Sequence, residues 1–270
     1  MTRIVTILLL LTFSTTLSGQ QQHIMELKAL KTIGGNIVDF TVDNLGNIYT
    51  ISSNNQLKKL NANGEQIAVY NDVRRYGSIY SLDASNPLKL LLYHKNFGTI
   101  VILDRFLNVR NTIDLRKLNI FQVKAIGQSY DNGIWVYDEQ EAKLKKLDDE
   151  GNLVSESADL RLLLDSIPSP VQIIDQDRLV HLYDPEKGLF VFDYYGAIKN
   201  KVPLTGWTDV HVINGSVIGR KDGMLMQYKP GSLSLQEQDM KQVLSSVSKV
   251  KISINTLYCL QKGLISVYSF

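Results

Sequence analysis

Four histidines are the first side chains to weigh, His23, His94, His181 and His211. A neutral imidazole is both a common metal ligand and a general base. His94 follows Tyr93, and His181 stands two residues before Tyr183, each inside an apolar run. No carboxylate recurs at a fixed offset from them, so they read as strand residues and no metal site is expected. Asp39, Asp83, Asp175 and Asp209 lie in or next to further apolar runs. Gathered at one point they would suit a hard cation such as calcium. They share no common register, however, and turn-forming or strand-ending Asp is the commoner role. Asn214-Gly-Ser-Val lacks the second Gly of a nucleophile elbow, and no Ser-His-Asp arrangement is recognisable. Cys259 is the single cysteine, which excludes a disulfide framework and a multi-cysteine zinc site. Its run, Asn255 to Leu260, reads as the setting of a small buried hydrophobe. No catalytic residue, metal or cofactor is expected.

Binding groups stand out more clearly. Tyr70 to Tyr76 sets Arg74, Arg75 and Tyr76 in a short link between apolar runs, and Arg and Tyr are enriched at interface hot spots. Tyr194 and Tyr195 form a second aromatic turn, and Trp207 opens a later segment. Loops carried on a rigid scaffold are where binding residues concentrate. Arg74, Arg75, Tyr76, Tyr194, Tyr195 and Trp207 are therefore the candidate interaction residues.

The elements that carry them repeat. Gln56-Leu-Lys-Lys-Leu-Asn-Ala-Asn-Gly64 and Lys143-Leu-Lys-Lys-Leu-Asp-Asp-Glu-Gly151 match almost residue for residue. Around each lie alternating apolar runs, broken by Gly, Asn, Asp and Pro, as hairpin-linked strands require. Copies open near residues 37, 78, 122, 170, 209 and 249, close to the ~40–45 residues of a four-stranded propeller blade. Helical spacing appears only locally, at Leu160–Asp165 and Asp239–Leu244. The last copy holds three strands before Phe270, while an unattached apolar segment, Ile24 to Leu30, precedes the first. A strand from the head completing the last blade would seal a ring and remove two open sheet edges. The fold expected is all-β, a six-bladed β-propeller of four-stranded antiparallel blades, closed by that N-terminal strand. Ser129 to Trp135 then reads as a hairpin turn with Trp135 packed between blades.

Residues 1–20 follow the plan of a secretory signal: Arg3, an uncharged apolar run from Ile4 to Phe13, then small residues to Ser18 and Gly19. The run is far shorter than the roughly 20 residues of a bilayer span, so a cleaved signal is expected, with residues 21–270 as one propeller domain that does not span the membrane. Lys+Arg 29 against Asp+Glu 27 gives no basic field, which argues against a nucleic-acid partner.

Asp43-Asn-Leu-Gly-Asn-Ile-Tyr49 and Asp131-Asn-Gly-Ile-Trp-Val136 resemble the repeats of extracytoplasmic six-bladed propellers of the NHL and TolB-like group. With the signal, the chain is similar to exported propellers of the Bacteroidota. That resemblance implies a periplasmic or outer-membrane location and a role accessory to outer-membrane assembly or secretion machinery. The expected function is a non-enzymatic protein-interaction scaffold with a protein partner at the cell envelope. A small-ligand binder or metal-dependent, lactonase-like hydrolase working at the channel mouth is the first alternative, and carbohydrate binding on Tyr and Trp platforms is the second.

Overall fold

The computed structural model describes residues 27–232, 235–253 and 255–270. The first blade holds β2 (Ile37–Val42), β3 (Ile48–Ser52), β4 (Leu57–Leu60) and β5 (Gln66–Tyr70), and the second β6 (Ser81–Asn86), β7 (Lys89–His94), β8 (Thr99–Asp104) and β9 (Val109–Asp114). The third is β10 (Ile126–Gln128), β11 (Ile134–Asp138), β12 (Lys143–Leu147) and β13 (Leu153–Glu156), and the fourth β14 (Gln172–Gln176), β15 (Leu179–Asp184), β16 (Gly188–Phe192) and β17 (Ile198–Val202). The fifth is β18 (Thr208–Ile213), β19 (Ser216–Lys221), β20 (Met224–Tyr228) and β21 (Leu235–Asp239). The sixth combines β22 (Lys249–Ser253), β23 (Thr256–Gln261) and β24 (Leu264–Ser269) with β1 (Lys28–Ile33). Short helices α1 (Val73–Tyr76) and α2 (Lys241–Leu244) and 3₁₀ turns at Leu115–Leu118 and Leu160–Leu162 link the blades.

Every sheet is four-stranded and antiparallel, and each innermost strand touches the innermost strands of both neighbouring blades, β22 meeting β2. The ring is therefore closed. Strand β1 forms the outer edge of the sixth blade, running antiparallel to β24 from Lys28 opposite Ser269 to Ile33 opposite Ile265. The closing strand begins later in the chain than Ile24, and residues 24–26 lie outside the described residues, as does the whole signal segment. Its outer position explains its composition. Leu30 is exposed, whereas Ile33 is buried against the first blade.

The core is divided among the junctions between blades. Tyr49 and Leu57 of the first blade pack on Leu90, Leu92 and Leu103 of the second. Trp135, Tyr137 and Leu144 of the third pack on Leu182, Phe190 and Phe192 of the fourth. Cys259 lies buried between the fifth and sixth blades, where burial pushes its thiol up to about 12. Such a thiol is inert at ordinary pH.

The Leu-Lys-Lys-Leu repeat has a packing cause. Leu57 and Leu60, like Leu144 and Leu147, are buried. Lys59 lies opposite Tyr49 and Lys146 opposite Trp135, with the ammonium groups 5.4 and 5.1 Å from the ring centres. Each stem covers an aromatic face while its charge finds a polar partner. Lys59 donates to the Arg105 carbonyl of the next blade at 3.0 Å. The repeated Asp and Asn residues shape loops. Oδ1 of Asp43, Asn61, Asp104, Asp148 and Asp193 accepts from the backbone N–H groups two and four residues on, in each case at 2.7–3.0 Å. This is the Asx turn that makes these residues frequent in hairpins.

Candidate functional site

Antiparallel order gives the ring two unlike ends. Loops joining first to second and third to fourth strands gather at one end, the hairpin end. Blade-to-blade links and second-to-third turns gather at the other, the connection end. The six candidate interaction residues divide between them. Arg74, Arg75 and Tyr76 form α1 at the connection end. Tyr76 is buried in the first blade junction, its ring centre 5.6 Å from that of His94, and exposed Arg75 sets its guanidinium 5.0 Å from the Tyr76 ring. The Arg74 side chain lies outside the described residues. Trp207, in the link from the fourth to the fifth blade, is buried core, and its carbonyl accepts from the Tyr183 hydroxyl at 2.8 Å. Tyr194 and Tyr195 belong to the hairpin end, where Tyr195 is 90% exposed.

At the hairpin end Asp175 organises a site that the sequence did not single out. Its Oδ2 accepts from Ser129 Oγ at 3.1 Å, the Tyr130 backbone N–H at 3.2 Å and Trp135 Nε1 at 2.9 Å, and its Oδ1 accepts from the Tyr194 hydroxyl at 2.9 Å. The carboxylate thereby latches the fourth blade to the third. The latch has a local cause. Where the first blade has Asp43 to receive the Tyr49 hydroxyl at 2.9 Å, the third has Ser129, so Trp135 turns to the neighbouring blade for its acceptor. The latch also holds Tyr194 flat against Tyr130, with ring centres 4.3 Å apart and planes 16° from parallel. Burial, then the Asp175 carboxylate, raises the Tyr194 phenol well above its ordinary value, so it donates at every physiological pH.

Beside this pair opens a cleft of about 560 Å³, lined by Tyr130, Asp175, Gln176, Asp177, Arg178 and Tyr194. Asp177 and Arg178 are the two residues of the β14–β15 turn, with φ of 56° and 66°. Such a turn prefers Gly or Asn. The corresponding second turn residue is Gly215, Gly223 or Gly263 in three other hairpins. Arginine in this left-handed conformation costs roughly 1 kcal/mol relative to glycine. The turn is braced by Asp177 Oδ2, which accepts from the Gly215 N–H of the fifth blade at 2.9 Å.

The other inner-strand aspartates are also latches. Asp39 pairs with Lys249 of the sixth blade, and Asp83 Oδ2 accepts from the Gln128 N–H of the third at 2.8 Å. Asp209 pairs with Arg220 at 2.7 Å, whose guanidinium also donates to the Val247 carbonyl at 2.7 Å. Burial raises the Asp209 carboxyl although Arg220 opposes it. Among the described residues no three His, Cys, Asp or Glu side chains are grouped to hold a metal. His94 is the last residue of β7 whereas His181 is the third of β15, so the two are not equivalent; Asp184 occupies the place of His94. His94 Nδ1 faces the Gly77 and Ser78 carbonyls at 3.1 and 3.2 Å, and His181 Nδ1 faces that of Ile174 at 3.2 Å. Burial holds both rings below the usual histidine range. His23 lies outside the described residues.

His211 and Lys251 line the junction of fifth and sixth blades. His211 Nε2 accepts from the Ile252 N–H at 3.3 Å, while burial and then Lys251 push the imidazole down to about 3. Burial and then Lys249 bring the Lys251 ammonium down to about 8, against the pull of Asp209, Asp83 and Asp39. These carboxylates belong to three other blades, so the Lys251 side chain projects into the shared centre of the ring.

No helix among the described residues is long and apolar enough to cross a membrane. The architecture is that of a six-bladed β-propeller. No family model matches the chain, and no curated protein matches it in sequence. Solved structures match it in fold. A streptogramin B lyase has a TM-score of 0.62 at 12% identity, over 91% of this chain and 86% of its own. The Cps50 (Swd1) β-propeller domain of Myceliophteria thermophila has 0.61 at 10%, over 91% and 100%. BamB from Moraxella catarrhalis has 0.50 at 12%, over 91% and 98%. At such identities the likeness is one of fold, and function has to be argued from the site.

Proposed function

We propose that this protein is an exported, non-enzymatic β-propeller of the NHL and TolB-like kind that serves as a protein-interaction scaffold in the periplasm or at the outer membrane, accessory to assembly or secretion machinery there. In this reading the segment 1–20 is removed and residues 21–270 form one propeller domain. The observation that carries it is the apolar surface of the connection end. Phe97 at 51%, Phe121 at 57%, Leu162 at 82% and Leu163 at 51% exposure come from the second blade and the two links that follow it. All four stand in turns and links of the connection end, and large apolar side chains left in solvent there are the material of a contact surface. Arg75 and Tyr80, the latter under the Lys95 ammonium at 4.6 Å, add polar groups to the same end. The inner-strand carboxylates point away from catalysis, because Asp39, Asp83, Asp175 and Asp209 each bind a partner in a neighbouring blade or their own.

Crosslinking in intact cells, followed by affinity purification from the envelope, tests the proposal. One protein recovered repeatedly with the wild type and lost with Phe121→Asp and Leu162→Asp is the expected result. Recovery as a free monomer, or a full-length chain that stays in the cytoplasm with residues 1–20 intact, overturns it.

A further inference from the structure

We propose that the cleft between the stacked tyrosines and the Asp177-Arg178 turn binds a neutral saccharide, one pyranose ring lying on the tyrosine shelf with its hydroxyls held by Gln176, Asp177 and Arg178. This goes beyond the scaffold reading and stands without it, since the cleft opens at the opposite end of the ring.

The walls supply what a sugar ring requires. The C–H face of a pyranose packs on an aromatic face, while its rim of hydroxyls both donates and accepts. Tyr130 is 66% exposed, and its backbone N–H and the Tyr194 hydroxyl are both tied to Asp175. The shelf is thus set before any ligand arrives, and little freedom remains to be lost on binding. The Lys146 ammonium lies 5.5 Å from the Tyr130 ring centre and is paired with Asp131. The same cleft is lined by a planar amide, a carboxylate and a guanidinium on three consecutive residues, Gln176 at the end of β14 and Asp177 and Arg178 in the turn. Planar groups bridge adjacent hydroxyls, and the three together offer both donors and acceptors.

Two details set the ligand's charge and point to Arg178. Asp175 and Asp177 bring two carboxylates to the cleft against the single guanidinium of Arg178, a balance that repels an acidic ligand. Hydroxyls need no net charge opposite them. Among the described residues the Arg178 side chain makes no hydrogen bond or ion pair, and it occupies a left-handed position that three other hairpins of the ring give to glycine. Strain kept at one turn, on a side chain with no partner among the described residues, is the pattern of a group retained for a ligand.

The test uses the whole mature chain and three sets of probes: cellohexaose, maltohexaose and chitohexaose as neutral glycans, oligogalacturonate as an acidic one, and Glu-rich and Arg-rich peptides. Titration calorimetry is paired with fluorescence, which reports on Trp135 through its bond to Asp175. Binding of at least one neutral hexasaccharide is expected, with Tyr130→Ala and Arg178→Gly each weakening it about tenfold or more. Arg178→Gly should melt at the same temperature as the wild type or higher, so its loss of binding cannot be a loss of fold. The proposal is overturned if none of the neutral glycans binds, if both variants bind as the wild type does, or if only the acidic glycan or the peptides bind.

Discussion

Replacing Asp175 with alanine removes the acceptor of three hydrogen bonds from the third blade and of one from Tyr194 in its own fourth blade. The magnitude follows from what each donor can do afterwards. Tyr130 is exposed and the Tyr194 hydroxyl borders the open cleft, so both turn to water at little cost, and the buried Ser129 hydroxyl has the Asp131 carboxylate as a second acceptor. Trp135 is 1% exposed, and among the described residues its Nε1–H donates to Asp175 alone. A hydrogen bond to a charged acceptor contributes about 1.5–3 kcal/mol, and a buried donor left alone costs about 1–3 kcal/mol. Counting Trp135 fully and the others lightly, Asp175→Ala should cost about 3 kcal/mol. In a chain of this size that lowers the melting temperature by about 6–12 °C. Urea unfolding followed at the tryptophans is the direct assay, with the midpoint falling and the slope unchanged. Asp175→Asn should lie between the two, because its amide keeps one oxygen as acceptor. A loss below about 0.5 kcal/mol for the alanine variant, the range of ordinary surface changes, would refute the latch.

Three further outcomes follow from the same contacts. The rings of His94, His181 and His211 are all held below the ordinary value of 6.5, so the unfolded chain binds more protons as the pH falls. Stability is then fully present above about pH 6.5 and is lost below it, His211 alone accounting for about 2 kcal/mol at pH 5; a urea midpoint equal at pH 7.5 and pH 5 would contradict this, and His211→Asn should flatten the profile. After reductive methylation with ¹³C-formaldehyde, the Lys251 methyl signal should titrate near pH 8, against about 10.4 for exposed lysines; an inflection above pH 10 would remove Lys251 from the crowded centre of the ring. Gly188 has φ of 97°, and a Cβ there would sit 2.3 Å from the Val202 carbonyl oxygen, so Gly188→Ala should cost about 3 kcal/mol or more. Gly215→Ala, with open space around it, should cost only the backbone strain of about 1 kcal/mol.

The local pattern of this chain carries its own architecture. The apolar runs Ile37–Val42 and Ile134–Asp138, the twin Leu-Lys-Lys-Leu runs and the spaced Asx turns depend on contacts within one hairpin, and a repeat of hairpins advertises itself in one dimension. Even the closure was legible, because a sixth copy without a fourth strand leaves an edge that a spare apolar segment at the head can cover. Trp135 between blades could likewise be read from its turn. The cleft could not. Asp175 and Tyr130 lie 45 residues apart, and only the packing of the fourth blade on the third brings the carboxylate, the tyrosine pair and the indole to one point. Arg178 left a faint trace, an arginine where a two-residue turn asks for glycine, but nothing near it in sequence says that Tyr194 stands opposite. The division of Arg75 and Tyr76 from Tyr194 and Tyr195 is of the same kind. Strand direction decides which end of the ring a loop occupies, and direction is a property of the meander as a whole. What residues meet across a junction is set by the twist and spacing of two separate sheets, and these exist only once the ring has closed.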